Sequence, residues 1–442
     1  MRIGAGAGYA GDRIEPAVEL ARLGSLDFLV FECLGERTIA RENQSRLNGV
    51  SSGYNPFLEE RMRAVLRICA QNGVRIVTNM GGADPWAAGQ VVARIAAEVH
   101  GAGYRVAVVE GDDVMEQLGS LQDLPLLESG EPLDSIWDTV VSANAYLGAE
   151  VIADSLRAGA DAVITGRVAD PSLFLGPMLA DLGWSYDDYA LLAQGTMAGH
   201  LLECAGQVSG GYFADPGVKD VPGLDRLGFP FADVSAAGEV VISKVAGSGG
   251  RIDRLTCTEQ LLYEVHDPTS YITPDCVLDV THVQFDEVAP DAVRAAGARA
   301  TARTETLKVT VGYRDGYMGE GQISYGGPNA VSRARLAAEI VLSRLEQRGL
   351  TPPRLRVDLI GMTSLHGAAA RAADPYEVRL RVAGTSGSER AARSIGEEVE
   401  TLLTNGPCGG AGDFKLVKDV LAVQSVLLPR GLVTTKIRLV ES

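Results

Sequence analysis

Short apolar runs rich in β-branched residues alternate with helical patterns through the first half of the chain. The runs lie at residue 3 and at 28–31, 75–78, 105–109, 139–142 and 162–165. The helical patterns between them lie at 16–23, 58–71, 86–99, 150–157 and 171–182. Alternation of this kind predicts an α/β fold with a predominantly parallel sheet and helices on both faces, Rossmann-like in organisation. The same unit also builds an eight-stranded barrel, but about six strands precede residue 185, and we expect the open sheet.

The pattern changes after residue 185. A helix is predicted at 187–207 and a turn-rich stretch at 210–232, followed by strands at 240–243, 278–283, 307–311 and 322–325 and a helix at 330–348. Further strands are predicted at 355–360, 378–382, 420–427 and 434–439, with a helix at 389–403. Single cores stop growing near ~250–300 residues. We therefore predict an α/β domain at 1–235, an α+β segment packing on it at 236–350, and a small ferredoxin-like α+β domain at 351–442.

Composition narrows the location and the partners. With 40 Lys and Arg against 57 Asp and Glu, the formal charge of −17 opposes binding to nucleic acid. No apolar run approaches the ~18 residues of a membrane span, so no membrane association is expected. The six cysteines form no CxxC pair, which favours a reducing, cytoplasmic location. We expect the protein to bind a small-molecule ligand and to form a homo-oligomer.

A glycine-rich loop follows the first predicted strand. Gly6-x-Gly8-x-x-Gly11 matches the dinucleotide fingerprint, and Glu32 lies 21 residues after Gly11, where a ribose-binding acid is expected. The proline at 16 fits a first helical position, which starts the helix later than the fingerprint requires. Two other interpretations stay open: the glycines form a tight turn, or the loop and Asp12 line the mouth of a site that binds an anionic ligand.

Polar residues follow several of the predicted strands, at the edge where ligands bind in open α/β sheets. They are Glu32, Asn79, Gly81, Gly82, Asp112, Thr165, Arg167 and Asp170. Singly, such residues are commonly helix caps and turn formers. Together they predict a catalytic site. Glu32, Glu110, Asp112 and Asp170 are candidate oxygen ligands for a divalent metal, but no spacing demands one, and we predict no metal ligands.

His200, Glu203 and Cys204 share one face of the predicted helix at 187–207. A histidine beside a carboxylate is suited to acid–base catalysis near neutral pH, although a lone helical histidine is commonly structural. His200 is therefore a candidate catalytic residue.

Three glycine loops later in the chain are candidates for binding an anionic group. Lys244 precedes a loop with Gly247, Gly249 and Gly250, and this combination is typical of a phosphate cradle, although the P-loop spacing is absent. A plain hairpin turn is the alternative. Gly326 and Gly327 precede a predicted helix N-terminus, and residues 405–412 form a third loop.

Five segments resemble the acyclic terpene utilisation family: residues 3–13, 161–170, 199–204, 210–216 and 404–407. The resemblance covers nearly the whole chain. It implies a long α/β part followed by a ferredoxin-like module, and a branched or unsaturated acid, or its coenzyme A thioester, as substrate. It carries over no catalytic residue.

These observations lead to three functional hypotheses. The first is a lyase or hydratase acting next to a carbonyl, in which Glu32 or His200 moves the proton, Asn79 or Arg167 stabilises the enolate, and Lys244 holds an anionic group. The second is an oxidoreductase that binds NAD(P) through the first glycine loop. The third is a non-catalytic subunit that binds acyl ligands. Coenzyme A is expected at most as part of a substrate, and the sequence leaves both a divalent metal and NAD(P) open as cofactors.

Overall fold

The computed structural model describes residues 1–371 and 374–442. The strands are β1 (Arg2–Ala7), β2 (Phe28–Phe31), β3 (Arg75–Thr78), β4 (Arg105–Glu110), β5 (Val140–Ala145), β6 (Ala162–Thr165), β7 (Pro230–Val234), β8 (Val240–Lys244), β9 (Tyr271–Ile272), β10 (Val277–Asp279), β11 (Gln284–Ala289), β12 (Ala292–Ala296), β13 (Arg299–Thr301), β14 (Thr306–Gly326), β15 (Arg354–Ile360), β16 (Glu377–Ser386), β17 (Ala411–Pro429) and β18 (Lys436–Glu441). The helices are α1 (Glu15–Leu23), α2 (Glu36–Leu47), α3 (Leu58–Asn72), α4 (Pro85–Val99), α5 (Met115–Leu118), α6 (Glu150–Arg157), α7 (Ser172–Asp181), α8 (Tyr189–Glu203), α9 (Arg254–Leu262), α10 (Ala330–Gln347), α11 (Glu389–Glu400) and α12 (Leu402–Asn405).

The chain forms two compact units. Unit 1 comprises residues 1–312 and 423–442, and unit 2 comprises residues 313–422. The long strands β14 and β17 each run from one unit into the other. The division predicted from the sequence, with boundaries at 235 and 350, follows sequence pattern rather than contacts and stays a prediction.

The main sheet of unit 1 has ten strands in the order β11-β12-β8-β7-β1-β2-β3-β6-β4-β18. The pairs from β1 to β4 along this order are parallel, and the flanking strands pair antiparallel. Every residue of β2 and of β6 is buried, which explains why these strands read as continuous apolar runs. The α/β class with a largely parallel core is confirmed, and the sheet as a whole is mixed.

Helices cover the parallel core in two groups. The connections from β1 through β2 and β3 to β4 progress in one direction across the sheet, and the connection through α6 returns from β4 to β6. Because such crossovers are right-handed, α1, α3 and α4 lie on one face and α6 on the other. The helix α7 packs against α6 and α8, and it is buried almost all round.

The strand order differs from that of the dinucleotide-binding fold. In that fold, β4 lies beside β1, and the dinucleotide crosses the crevice between the two. Here the neighbours of β1 are β2 and the antiparallel strand β7, while β4 lies beyond β6. The Rossmann-like label therefore fits the alternation of strands and helices but not the strand order.

Two predicted strands pair elsewhere than expected, and a third strand was not predicted. β5 is not part of the main sheet; it pairs with β14, and its buried residues pack in a separate cluster with Leu307 and Val309. The last strand, β18, pairs antiparallel with β4 rather than within a terminal module. β7 lies at the end of the stretch predicted as turns and pairs with β1. Apolar pattern specifies a strand but not its distant partner, which accounts for the first two differences.

The helices α2 and α9 were not predicted. The α2 sequence is strongly polar, and only Ile39, Ala40 and Glu42 are buried along it, so it has no apolar stripe of helical period. The polarity has a structural reason, because α2 lines a large cleft described below.

Unit 2 contains an antiparallel sheet with the strand order β15-β16-β14-β17. Its elements follow in the order β14, α10, β15, β16, α11 and β17, and both long helices pack against β16. The core of the unit contains Ile323, Tyr325, Val341, Leu380 and Ile395. The βαββαβ order begins at β14, upstream of the predicted start at 351. Among the described residues, no helix is both long and apolar enough to span a bilayer.

Replacing Ile76 by Ala is expected to lower the free energy of unfolding of unit 1 by about 2–5 kcal/mol. Ile76 lies in β3 at the centre of the parallel core and is fully buried. All three tryptophans lie in unit 1, so urea unfolding followed by their fluorescence measures its stability. The control Leu23→Ala, at a side chain that is 65% exposed, should change the value by less than about 1 kcal/mol. Equal losses in the two variants would contradict the assigned core.

Candidate active site

A cleft of about 1880 Å³ opens at the carboxyl ends of β1, β2 and β6. All of its lining residues belong to unit 1. Six predicted site residues line the cleft: Gly8, Gly11, Asp12, Glu32, Arg167 and Asp170. Sites for drug-sized ligands usually have volumes of about 300–1,000 Å³, so the cleft has room for a larger ligand.

Glu32 follows β2 and is buried in the wall of the cleft. Its Oε1 accepts hydrogen bonds from the backbone N–H of Leu34 at 2.7 Å and from Nδ2 of Asn79 at 3.1 Å. Burial raises the pKa of Glu32 to about 8, and the nearby Asp170 carboxylate adds to the effect. Glu32 is therefore protonated at neutral pH, and its Oε2 makes no hydrogen bond to the described residues.

Asn79 has a supporting position. It is fully buried, and its Oδ1 accepts a hydrogen bond from the backbone N–H of Cys33 at 2.7 Å while its Nδ2 donates to Glu32. Asn79 does not line the cleft, so it acts on a ligand only by orienting the Glu32 side chain.

Arg167 is buried at the end of β6 and reaches the wall of the cleft. Its Nη1 donates to Asp170 Oδ1 at 2.7 Å and to the carbonyl of Leu34, and its guanidinium carbon lies 4.1 Å from the centre of the Tyr146 ring. Burial opposes the charge of Arg167, but the surrounding carboxylates outweigh it and raise the pKa. The cluster thus holds a permanent positive charge beside the neutral carboxyl of Glu32.

Glu36 lies in the opposite electrostatic environment. Its Oε1 accepts hydrogen bonds from the Tyr146 hydroxyl at 2.6 Å and from Nζ of Lys308 at 3.0 Å. Burial alone would raise the pKa of Glu36, but these donors and Arg167 together lower it to about 2. Glu36 stays ionised and neutralises Lys308.

The His200 and Glu203 side chains form a buried pair on α8. His200 Nδ1 lies 2.7 Å from Glu203 Oε1, and His200 Nε2 lies 3.1 Å from the Leu261 carbonyl oxygen. Burial opposes protonation of His200, but Glu203 raises its pKa overall. Burial raises the pKa of Glu203 to about 7. Glu203 and Cys204 line the cleft, whereas His200 lies behind them.

The first glycine loop is held by contacts within the protein. The backbone N–H of Gly8 donates to Asp12 Oδ2 at 2.9 Å, and a Cβ at Gly8 would lie 2.4 Å from the carbonyl carbon of Cys204. A Cβ at Gly6 would lie within 3 Å of the Phe31 ring. These two glycines are therefore required by packing against α8 and β2.

Four further predicted residues do not line the cleft, and one of them, Asp112, holds Arg167. Asp112 Oδ2 accepts hydrogen bonds from the backbone N–H of Arg167 and from Asn144, both at 2.9 Å. A Cβ at Gly81 would lie 2.4 Å from the carbonyl oxygen of Thr165, and one at Gly82 would lie 1.8 Å from Glu42 Oε2. Gly81, Gly82, Asp112 and Thr165 thus pack the strand ends together.

The later glycine loops lie away from the cleft lining. Lys244 is buried and pairs with Asp291 Oδ2 at 3.0 Å while donating to the Ser248 carbonyl at 2.9 Å, so its charge is neutralised. Gly247 has a left-handed backbone, and a Cβ at Gly249 or Gly250 would collide with backbone carbonyls. Gly326 and Gly327 belong to unit 2, where Arg333 donates to the Gly326 carbonyl at 2.5 Å.

Sequence reasoning missed Glu42, Tyr146 and Lys308, all of which line the cleft. Neither oxygen of Glu42 has a hydrogen-bond partner among the described residues, and burial raises the pKa of Glu42 to about 8. No sequence signal pointed to Glu42, because the polar helix α2 that carries it was not predicted. Tyr146 and Lys308 come from β5 and β14 regions whose pairing is not readable from the chain.

No group of three or more His, Cys, Asp or Glu side chains within 1–371 and 374–442 is arranged to hold a metal ion. Of the four candidate acids, Glu110 pairs with Arg438 at 3.3 Å, and Asp112 accepts hydrogen bonds from Arg167 and Asn144.

The fold and the cleft define an α/β protein with a buried cluster of carboxyl groups around one arginine. The chain matches the model of the acyclic terpene utilisation family protein AtuA over residues 1–439. It therefore belongs to the acyclic terpene utilisation family, which confirms the resemblance. Neither the curated proteins nor the solved structures contain a match to it.

The buried Glu42 carboxyl predicts a pH-dependent stability. Because its pKa in the folded protein is raised to about 8, the contribution of Glu42 to stability is full below its unfolded pKa of about 4.3, falls as pH rises from there, and is lost once pH has passed about 8. The thermal unfolding temperature of the protein should fall between pH 5 and pH 9, and Glu42→Gln should reduce that fall by the equivalent of a few kcal/mol. The matched variant Glu116→Gln, at an exposed helical position, should keep the full fall. A slope unchanged by Glu42→Gln would show that Glu42 titrates normally.

Proposed function

We propose that the protein is an enzyme that transfers a proton at the carbon next to a carbonyl group, in a lyase- or hydratase-type reaction. The substrate we propose is a branched or unsaturated carboxylic acid or its acyl-coenzyme A thioester. The observation that carries this proposal is the protonated, buried Glu32 in the cleft wall beside the Arg167 cation.

Glu32 has the properties of a general acid or base. A pKa of about 8 is close to working pH, where a group both gives and takes a proton efficiently. Two donors fix Oε1, so Oε2 is the atom that gives a proton to the substrate carbon when Glu32 is neutral and takes a proton from it when Glu32 is ionised. Removal of that proton develops negative charge on the carbonyl oxygen, and the cation of Arg167 is placed to stabilise it. Asn79 acts as a positioning residue for Glu32.

The shape of the cleft supports a substrate larger than a free small acid. The lining includes exposed apolar side chains, and those of Tyr9, Phe57, Tyr212 and Leu224 are all at least 40% exposed. Arg41, also on the lining, makes no hydrogen bond or ion pair with the described residues. An apolar acyl chain would pack against the apolar side chains of the lining, and a phosphate of coenzyme A would pair with Arg41.

The alternative of an NAD(P)-dependent oxidoreductase has less support. The position of Gly8 is explained by the Cys204 backbone, Glu32 is engaged with Asn79 and Leu34, and the strand order lacks the crevice between β1 and β4. A non-catalytic acyl-binding subunit would use the same cleft, and the shifted pKa of Glu32 favours the enzyme over it.

Replacing Glu32 by Gln is expected to slow exchange of the α-hydrogen of isovaleryl-coenzyme A with D₂O by at least about 100-fold. The amide keeps the shape and the hydrogen bonds of Oε1 but cannot take a proton. Exchange measured by mass spectrometry requires no knowledge of the full reaction. Glu116→Gln, on an exposed face of α5, should exchange at the wild-type rate. Wild-type exchange in Glu32→Gln would remove Glu32 from the mechanism, and no exchange in the wild type would favour the binding subunit.

The role of Arg41 predicts a separable effect on binding. Arg41→Ala should weaken binding of isovaleryl-coenzyme A about tenfold, which is the effect of losing roughly 1.4 kcal/mol, and leave binding of free isovalerate unchanged. Arg37→Ala, on the same helix but away from the cleft lining, is the matched control. Isothermal calorimetry measures both ligands. Equal loss for both ligands would place Arg41 at the acid rather than at coenzyme A.

A further inference from the structure

The partners of the His200–Glu203 pair determine where its protons lie. A carbonyl oxygen only accepts hydrogen bonds, so the contact of 3.1 Å with the Leu261 carbonyl requires a proton on Nε2 of His200. The Nδ1 and Oε1 atoms are 2.7 Å apart, and two lone pairs would repel each other at that distance. The resting pair therefore shares a further proton between Nδ1 and Oε1.

The remaining atom of the pair is Oε2 of Glu203. It is buried and has no hydrogen-bond partner among the described residues, while the Glu203 side chain lines the cleft. When His200 is the imidazolium and Glu203 the carboxylate, a proton that reaches Oε2 leaves the Nδ1–H···Oε1 bond intact. Oε2 is thus the atom of the pair that is left without a partner and can accept a proton.

We propose that Glu203 is a second catalytic residue, whose Oε2 takes a proton from a water molecule that adds to an α,β-unsaturated acyl thioester, with His200 as its positioning residue. This inference rests on the proposed function and specifies hydration as the reaction. In the step, an O–H bond of water breaks and its proton goes to Glu203, and the water oxygen bonds to the β-carbon. The electron pair of the double bond takes a proton from Glu32 at the α-carbon, and solvent then returns the transferred proton.

The electrostatic surroundings fit this division of roles. Titratable groups that influence the pair are Asp170, Cys204, Glu264 and Tyr271, whose ring centre lies 5.2 Å from that of His200. Burial raises the pKa of Glu203 to about 7, with Asp170 and Glu264 adding to it and His200 opposing. Hydration needs Glu203 ionised and Glu32 protonated. The rate should therefore rise as pH passes about 7 and fall as pH passes about 8.

The test compares two reactions in Glu203→Gln, an isosteric change. Hydration of β-methylcrotonyl-coenzyme A should fall by at least about 100-fold, and α-hydrogen exchange of isovaleryl-coenzyme A, which Glu32 carries out, should fall at least about tenfold less than hydration does. Glu239→Gln, at an exposed turn before β8, should keep both activities.

Each outcome separates this inference from the proposed function. Wild-type hydration by Glu203→Gln, or exchange without any hydration by the wild type, would overturn the role of Glu203 and leave the role of Glu32 standing. A wild type that neither exchanges nor hydrates would overturn the proposed function and this inference with it.

A second variant decides the question if Glu203→Gln does not fold. His200→Gln removes the cation that lowers the pKa of Glu203, so the rising limb of the hydration profile should move to higher pH. A uniform loss of rate with the limb in place would mean that His200 is only structural and would overturn the inference.

Discussion

The buried guanidinium of Arg167 is the interaction on which the candidate site depends. An unpaired cation in a protein interior is strongly destabilising, so its neighbours must supply negative charge and acceptors. Asp170 and the Leu34 carbonyl both accept hydrogen bonds from its Nη1, and Asp112 accepts one from its backbone N–H. These contacts connect the ends of β2, β4 and β6 around one charge.

One consequence is that neighbouring carboxyl groups have different protonation states. Glu36, with three nearby donors or cations, is held ionised with a pKa of about 2. Burial and the nearby Asp170 carboxylate raise the pKa of Glu32 to about 8. The pKa of Glu203 is intermediate, at about 7. Carboxyl groups whose environments separate their pKa values in this way are typical of sites that carry out acid and base chemistry together.

The sequence predicted what local pattern determines. Apolar runs separated by helices identified the parallel core, and the rule for strand ends placed Glu32, Asn79, Asp112 and Arg167 at one edge of the sheet, where hydrogen bonds connect them. Whether each of these residues acts on a ligand stays a prediction.

The sequence pattern did not show which residues and strands that are distant in the chain pair with each other. Lys244 pairs with Asp291, which is remote in the chain, and its predicted role in binding an anion stays a prediction. The polar helix α2 carries no apolar stripe, so Glu42 was missed, and Tyr146 reaches the cleft from a strand that pairs outside the main sheet. Each of these features depends on a partner that is remote in the chain.

The central claim is that the Glu32 carboxyl is neutral in the resting cleft at neutral pH. Infrared difference spectroscopy of the wild type against Glu32→Gln, recorded across a pH titration, observes the carbonyl band of that protonated carboxyl directly. We expect a band that is present at pH 7 and disappears with a midpoint of about 8. A midpoint near the ordinary glutamate value of about 4.3 would contradict it, because Glu32 would then be a carboxylate like its neighbour Glu36.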